Sequence, residues 1–475
     1  MTATSAAPAT AQSAIPSAAA TTSPIRRLSP LDGRYETQVD GLRDCFSEYA
    51  LIRERVRVEA EWLIAMGDAA EISDVRLLTA DEKRHLRSLA DAFDETAAAR
   101  VKEIEQTTRH DVKAVEYYVK ERLSGTSLEP LGEFVHFCCT SEDISNLAYG
   151  LMLKRGVEIE WLPLATKLVA DVRAVAETHA GTAILTHTHG QPASPSTLGK
   201  ELAVFVGRWQ RQLSLIGRQE YLGKFSGAVG SFNAHAIAYP AAPWPAISRR
   251  FVEGLGLTWN PLTTQIEPHD YMAELFHGLI RFNTITLDFD RDMWSYISLG
   301  YFRQKVVGSE VGSSTMPHKV NPIDFENSEA NLGIAGAIFE HLSTKLPISR
   351  LQRDLTDSSA LRNIGVGFGH SVVALHSARR GISRVAVDHE IIERALDDTW
   401  EVLGEAIQTV MRRVGHPGAY ERMKELTRGA TVTQKGLERF IQSLGLPKED
   451  EDRLVSLTPG TYVGQAEQLV KLAPR

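Results

Sequence analysis

The sequence predicts a mainly α fold of three helical domains with a central bundle of long helices. Three observations predict it. Apolar residues recur every three or four positions over long stretches, and alternation with period two next to hairpin turns is scarce. The length of 475 residues is enough for about three domains and a large buried core. The longest pattern, Met272, Leu275, Leu279, Phe282, Ile285, Phe289, Met293, Tyr296 and Leu299, runs for about eight turns at the helix repeat.

Residues 1–24 hold no charged side chain and one large aliphatic residue, Ile15, so they lack the basic start of a secretory signal and the arginines of a transit peptide. They read as a disordered leader that buries too little surface to offset its chain entropy. An N-terminal helical domain is expected over 25–130 and a central bundle of long helices, the core of an oligomer, over 131–370. In the latter, Trp161, Leu164, Leu168, Val172 and Val175 mark one helix, and Leu198, Leu202, Phe205, Trp209, Leu213 and Ile216 another. Residues 223–261, rich in Gly, Pro and aromatic side chains, form the one expected β or irregular zone. A C-terminal helical domain follows over 371–475, with helices near 387–412, 417–427 and 431–444.

Composition excludes several classes. Apolar residues make up 43% and charged residues 24%, the profile of a soluble globular chain. A net charge of −8 with no long basic run argues against nucleic acid, and no stretch of about 18 apolar residues predicts a membrane span. Three cysteines, two of them adjacent at 138 and 139, cannot build a disulfide framework and fit a reducing, cytoplasmic compartment. Without CxxC or HExxH patterns, no metal or other cofactor is expected.

Polar residues gather at segment ends. Arg34 and Tyr35 follow an Asp-Gly turn, and Thr108, Arg109, His110 and Asp111 open a helical pattern. Thr140 and Ser141 precede Glu142 and Asp143, and Arg350, Arg353 and Arg362 flank Ser358. Each has an ordinary structural reading. Thr140 or Ser141 with two acids is a capped helix start. Arg350 and Arg353 have Asp354 and Asp357 four residues on, a solvated ion-pair spacing. His189 before Gly190 suits a helix C-terminus. Capping does not account for "GSEVGSSTMPHKVNPIDFEN" (308–327), where Gly308 and Gly312 give backbone freedom. Ser313, Ser314, Lys319 and Asn321 then follow without an apolar period, a composition common in mobile lids.

"GSSTMPHKVNP" (312–322) closely matches the GSSxMPxKxNP signature of the fumarase/aspartase superfamily. "THGQPASPSTLGKE", "TTRHDVKAVEYYVKE", "FCCTSEDISN", "TTQIEPHDYMAELF" and "RDLTDSSALRN" resemble its adenylosuccinate lyase branch, and the similarity runs from about residue 30 to the C-terminus. The resemblance implies a fumarase/aspartase-like fold of three mainly α domains and a homotetramer with active sites shared between chains. It implies β-elimination of fumarate from adenylosuccinate, giving AMP, and from the succinylated aminoimidazole carboxamide ribotide SAICAR, giving AICAR.

Such a reaction needs a base at the carbon beside a carboxylate, an acid for the departing nitrogen, and positive charge for the aci-carboxylate intermediate. By resemblance, Ser313 is the base, His189 the acid and Glu326 the residue that orients it. Lys319 and Asn321 hold the succinyl carboxylate. Arg34, Tyr35, Arg353, Ser358 and Arg362 match nucleotide and phosphate contacts, and Arg109, His110, Asp111, Thr140, Ser141, Gln265, Ser314 and Asn327 match other substrate contacts. One position departs from the branch: His187 stands where relatives usually carry arginine, a rival for the acid. Other readings are a different fumarate-releasing lyase, argininosuccinate lyase above all, and a non-catalytic scaffold relative. The latter predicts loss of Ser313, Lys319 or His189, and all three are present.

Overall fold

The structure is a computed structural model that describes residues 24–305, 316, 319–427 and 432–474. Most of residues 1–24 and the pair Ser313 and Ser314 lie outside the described residues. The helices Leu162–Thr178, Leu198–Ile216, Asp270–Ser298, Ile323–Lys345 and Ile364–Ser383 each pack on the next, and the last returns to the first. They form a closed five-membered bundle. Apolar periodicity places the start of the 29-residue helix Asp270–Ser298 within two residues, because its buried face repeats Met272, Leu275, Leu279, Phe282, Phe289 and Met293. The bundle's interior is aromatic. Trp161 and Phe282 lie 5.0 Å apart, Trp209 and Phe289 5.2 Å, and Phe276 and Phe339 5.4 Å between ring centroids. Both buried indole N–H groups find acceptors, Trp161 in Ser371 Oγ (2.9 Å) and Trp209 in Thr286 Oγ1 (3.0 Å).

The helix Glu48–Gly67 starts at Ser47, whose hydroxyl accepts the Ala50 N–H at 3.1 Å. It lies buried against Ser141–Arg155, which passes through a π turn at Gly156–Trp161 into the bundle. The boundary expected at 370/371 falls inside the continuous helix Ile364–Ser383. A second, smaller apolar cluster begins at Leu403 and joins Ile407, Met411, Leu437, Ile441 and Leu454. The helix expected near 387–412 is two, His389–Asp397 and Gly404–Arg413. The first ends at Asp397, and Asp398, Thr399 and a 3₁₀ turn at Trp400–Leu403 carry the chain to the second. The zone at 223–261 contains helices Asn233–Ala238 and Trp244–Gly254 and only a two-residue parallel bridge, Leu222–Gly223 with Thr258–Trp259. The longest strand pairing among the described residues lies elsewhere, between Ala183–Thr188 and Gln191–Thr197.

The hairpin delivers the chain into Leu198–Ile216, where Thr197 caps the helix through the Lys200 N–H at 3.2 Å. A Cβ at Gly199 would stand 2.3 Å from the Ala176 carbonyl oxygen and 2.6 Å from Ala180 Cα. Both are backbone and cannot swing aside. Gly199→Ala is therefore expected to destabilise the protein by about 1–3 kcal/mol, read as a lower denaturant midpoint.

Candidate active site

Two of the expected substrate-contact clusters meet along the buried face of helix Ser141–Arg155. At its start the Thr140 N–H donates to Asp143 Oδ2 at 2.8 Å, and Ser141 opens the first turn. The capping reading of this segment holds, but its acids do not face water. Glu142 is 6% exposed and meets the Arg353 guanidinium at 2.7 Å, with Asp357 on the same guanidinium at 3.5 Å. The Arg350–Asp354 pair does lie at the surface, at 3.5 Å. Arg353 does not, at 18% exposure. Ser358 follows directly, its N–H donating to Asp357 Oδ1 at 2.7 Å. Burial pushes the Glu142 carboxyl up to about 7 against the pull of Arg353.

One turn along, Ser145 Oγ accepts from Arg55 at 3.1 Å, and Arg55 binds Asp111 at 2.8 Å. Arg362 reaches the same Asp111 oxygen at 3.3 Å and also pairs with Glu48. Burial works against charge on Asp111, but Arg55 and its hydrogen bond outweigh it and hold the carboxyl below its ordinary range. Arg109 ends the helix Glu95–Thr108 in the left-handed conformation. His110 caps the next helix, Asp111–Leu123, its Nδ1 accepting the Lys113 N–H at 3.2 Å. An accepting nitrogen carries no proton, so neutral His110 presents an Nε2–H donor. Gln265 donates to the Ala228 carbonyl at 2.8 Å.

A buried ion pair fixes the loop between these groups. Lys224 Nζ sits 2.7 Å from Asp143 Oδ1, both side chains fully buried, and also donates to the Gly227 carbonyl at 3.0 Å. Asp143 accepts from Ser226 and Gly227 N–H as well. Lys224 was not among the sequence candidates. A lone lysine in a Gly-rich apolar stretch, "YLGKFSGAVG", was the available signal. Nearby, Glu142, His269 and Asp357 each place an atom within 4.8 Å of the others, and the cation at that spot is the Arg353 guanidinium. His269 is fully buried, and burial holds its imidazole down at about 4.

A separate polar network joins Tyr35 to the bundle. Asn327 donates to Tyr35 Oη at 2.9 Å and accepts from Ser377 at 2.8 Å. Arg34 beside it is exposed and makes no ion pair among the described residues. Lys319 is exposed, its N–H donating to the Met316 carbonyl at 3.0 Å, and Asn321 is half-buried.

His189 stands apart from all of these. Thr188 pairs with Gln191, leaving His189-Gly190 as a two-residue loop with φ of 53° and 74°. Two positive φ angles in such a loop are the signature of a type I′ hairpin turn, not of a helix C-terminus. Histidine pays a steric penalty there, and such strain concentrates at functional sites. His187 lies in the strand opposite Pro192. Within the chain Glu326 accepts from Trp294 Nε1 at 3.2 Å. No hydrogen bond or ion pair joins it to His189 among the described residues. The hairpin is braced at its base by Tyr301, donating to the Leu185 carbonyl at 3.1 Å. On its second strand Ser194 donates to Glu405, which also accepts from Tyr462 at 3.0 Å.

The fold has solved counterparts. The chain is similar to 3-carboxy-cis,cis-muconate lactonizing enzyme from Pseudomonas putida, with TM-score 0.73 and 22% identity over 92% of this chain and 97% of that one. By sequence it is 51% identical to adenylosuccinate lyase of Haemophilus influenzae over 94% of this chain and 99% of that protein. It is 50% identical to adenylosuccinate lyase of Escherichia coli K12, over 94% and 98%. The family described as Lyase matches residues 33–339, and the family described as adenylosuccinate lyase C-terminal matches residues 349–463. These two matches, meeting near the arginine cluster, and half-identity over nearly the full length place the chain in the adenylosuccinate lyase family.

Proposed function

We propose that the protein cleaves adenylosuccinate to AMP and fumarate, and SAICAR to AICAR and fumarate, in purine nucleotide synthesis. The observation that carries this reading is the buried contact of Arg353 with Glu142, directly after Thr140-Ser141 at a helix start, within a chain of this family. A guanidinium at a helix N-terminus suits a nucleotide phosphate, and Arg362, paired with Asp111 and Glu48, offers a second cation to the same substrate. A phosphate-bearing substrate favours adenylosuccinate over argininosuccinate.

In the mechanism, Ser313 removes the proton beside the succinyl carboxylate, and the electron pair spreads into that carboxylate. Lys319 and Asn321 stabilise the resulting dianion. His189 gives its proton to the departing nitrogen, a task for which an imidazole is suited as donor. Glu326 orients that imidazole and favours its charged form. His110 offers the substrate its Nε2–H.

The separation of His189 from Glu326, and of both from the arginine cluster, supports a site completed by other copies of the chain. Large apolar side chains exposed on the bundle helices, among them Val204, Leu215, Trp294 and Ile334, support burial of that surface in a homotetramer. No helix among the described residues is long and apolar enough to cross a membrane, and three free cysteines suit the cytoplasm.

Fumarate release from adenylosuccinate, SAICAR and argininosuccinate tests the reaction; release from argininosuccinate alone overturns it. Shared sites predict that inactive Ser313→Ala and inactive His189→Ala chains regain activity after mixing and subunit exchange. Continued inactivity of confirmed hybrids overturns the sharing.

A further inference from the structure

Arg353 is held by two buried carboxylates at once, Glu142 at 2.7 Å and Asp357 at 3.5 Å. The group is short of partners. Glu142 Oε1, Asp357 Oδ2 and the Arg353 Nη1 that faces them are buried without a well-formed hydrogen bond. With both acids ionised, two negative charges face one guanidinium, and a neutral His269 supplies no compensation. The other charged or titratable groups facing Glu142 are Lys224, already paired with Asp143, and the phenols of Tyr149 and Tyr271. In that fully ionised state one excess negative charge is buried next to the guanidinium that must meet an anionic substrate.

We propose that Glu142 is a proton-linked positioning residue for Arg353, taking up a proton from solvent when Arg353 engages the substrate's phosphate and releasing it when the site empties. The inference rests on the reading of Arg353 as a phosphate contact. When a dianionic phosphate shares the guanidinium, Arg353 no longer offsets the burial of Glu142, and the carboxyl holds a proton more tightly than in the free protein. The free carboxyl, at about 7, is already half protonated near neutrality, so little proton affinity needs to be added. Asp357, 3.5 Å from the guanidinium, remains its second carboxylate neighbour.

The sign follows from linkage. A group whose pKa is higher in the complex than in the free protein strengthens binding at low pH. That gain is full below the free value near 7, shrinks as pH rises above it, and is gone once pH passes the higher value of the complex. KM for adenylosuccinate should be flat below about pH 7 and rise above it, by up to about tenfold per pH unit. Glu142→Gln mimics the protonated form and should flatten the profile. At about pH 8.5 it should bind substrate better than wild type by about tenfold, whereas a merely structural role would raise KM at every pH. The substrate phosphate, with a second pKa of about 6, is dianionic above about pH 7, and its titration at lower pH cancels in the ratio of the two proteins.

An unchanged slope in Glu142→Gln, or a flat wild-type profile, overturns the proposal. Calorimetry of AMP binding to the wild-type protein, in buffers of different ionisation enthalpy, gives a second measure that needs no variant. Net proton uptake at about pH 8 supports the linkage, and zero uptake overturns it. If Arg353→Ala leaves KM unchanged, the phosphate reading itself fails, a result separable from either outcome above.

Discussion

His189→Ala is expected to lower kcat by about 10²- to 10⁴-fold, the range for loss of a positioned general acid, with a much smaller change in KM. The backbone argument separates this effect from misfolding. His189 sits at positive φ in an exposed two-residue turn, so His189→Asn, which tolerates that conformation, should preserve the hairpin and still lose the proton. His187→Ala should be milder, because His187 lies within the strand, opposite Pro192, rather than at the tip. Steady-state kinetics of the three variants decide it. If His187→Ala proves the more damaging, the acid has been assigned to the wrong histidine.

The second large effect is on stability. Lys224→Met should cost about 3–5 kcal/mol, because it leaves the Asp143 carboxylate buried without its cation. The N–H donors of Thr140, Ser226 and Gly227 remain, which keeps the cost from being larger. Lys224→Met combined with Asp143→Leu should be less damaging than the sum of the two single changes, since no charge is then stranded. Denaturant midpoints at matched protein concentration measure both. A Lys224→Met protein as stable as wild type would mean that the pair contributes nothing to the fold.

Much of the fold was legible because it is written in a 3.6-residue repeat. Asp270–Ser298 and Leu198–Ile216 bury one continuous stripe each, and a stripe is visible in a string of letters. The His189 hairpin was not legible for the converse reason. Its outer halves are exposed on both faces, so Thr186 to Ser194 carry no apolar alternation, and the turn's positive φ at histidine has no compositional signature. The zone at 223–261, expected to be β or irregular on its glycines, aromatics and prolines, holds irregular chain and a two-residue strand bridge but also two helices. Pro243 in fact precedes, and Pro245 opens, the helix Trp244–Gly254, as proline can in a first turn.

The site shows the same division. Resemblance marks which segments carry chemistry, but it does not show that Glu142, one residue past the expected contact Ser141, is the acid that holds Arg353. That pairing joins positions more than 200 residues apart, and only the tertiary fold creates it. Lys224 was missed because charge was sought in polar clusters, whereas a buried ion pair hides its lysine among apolar neighbours.

Glu405 has a consequence beyond its two hydrogen bonds. It opens the helix Gly404–Arg413, whose inner face belongs to the smaller apolar cluster, yet its carboxylate accepts from Ser194 on the strand that follows His189. The two hydrophobic clusters share no buried residue, so the smaller one has the makings of a unit that opens below the free energy of global unfolding. Each such opening releases Glu405 from Ser194 and loosens the strand that follows His189, the residue proposed as proton donor, so the C-terminal helices set the tension of that hairpin from outside it.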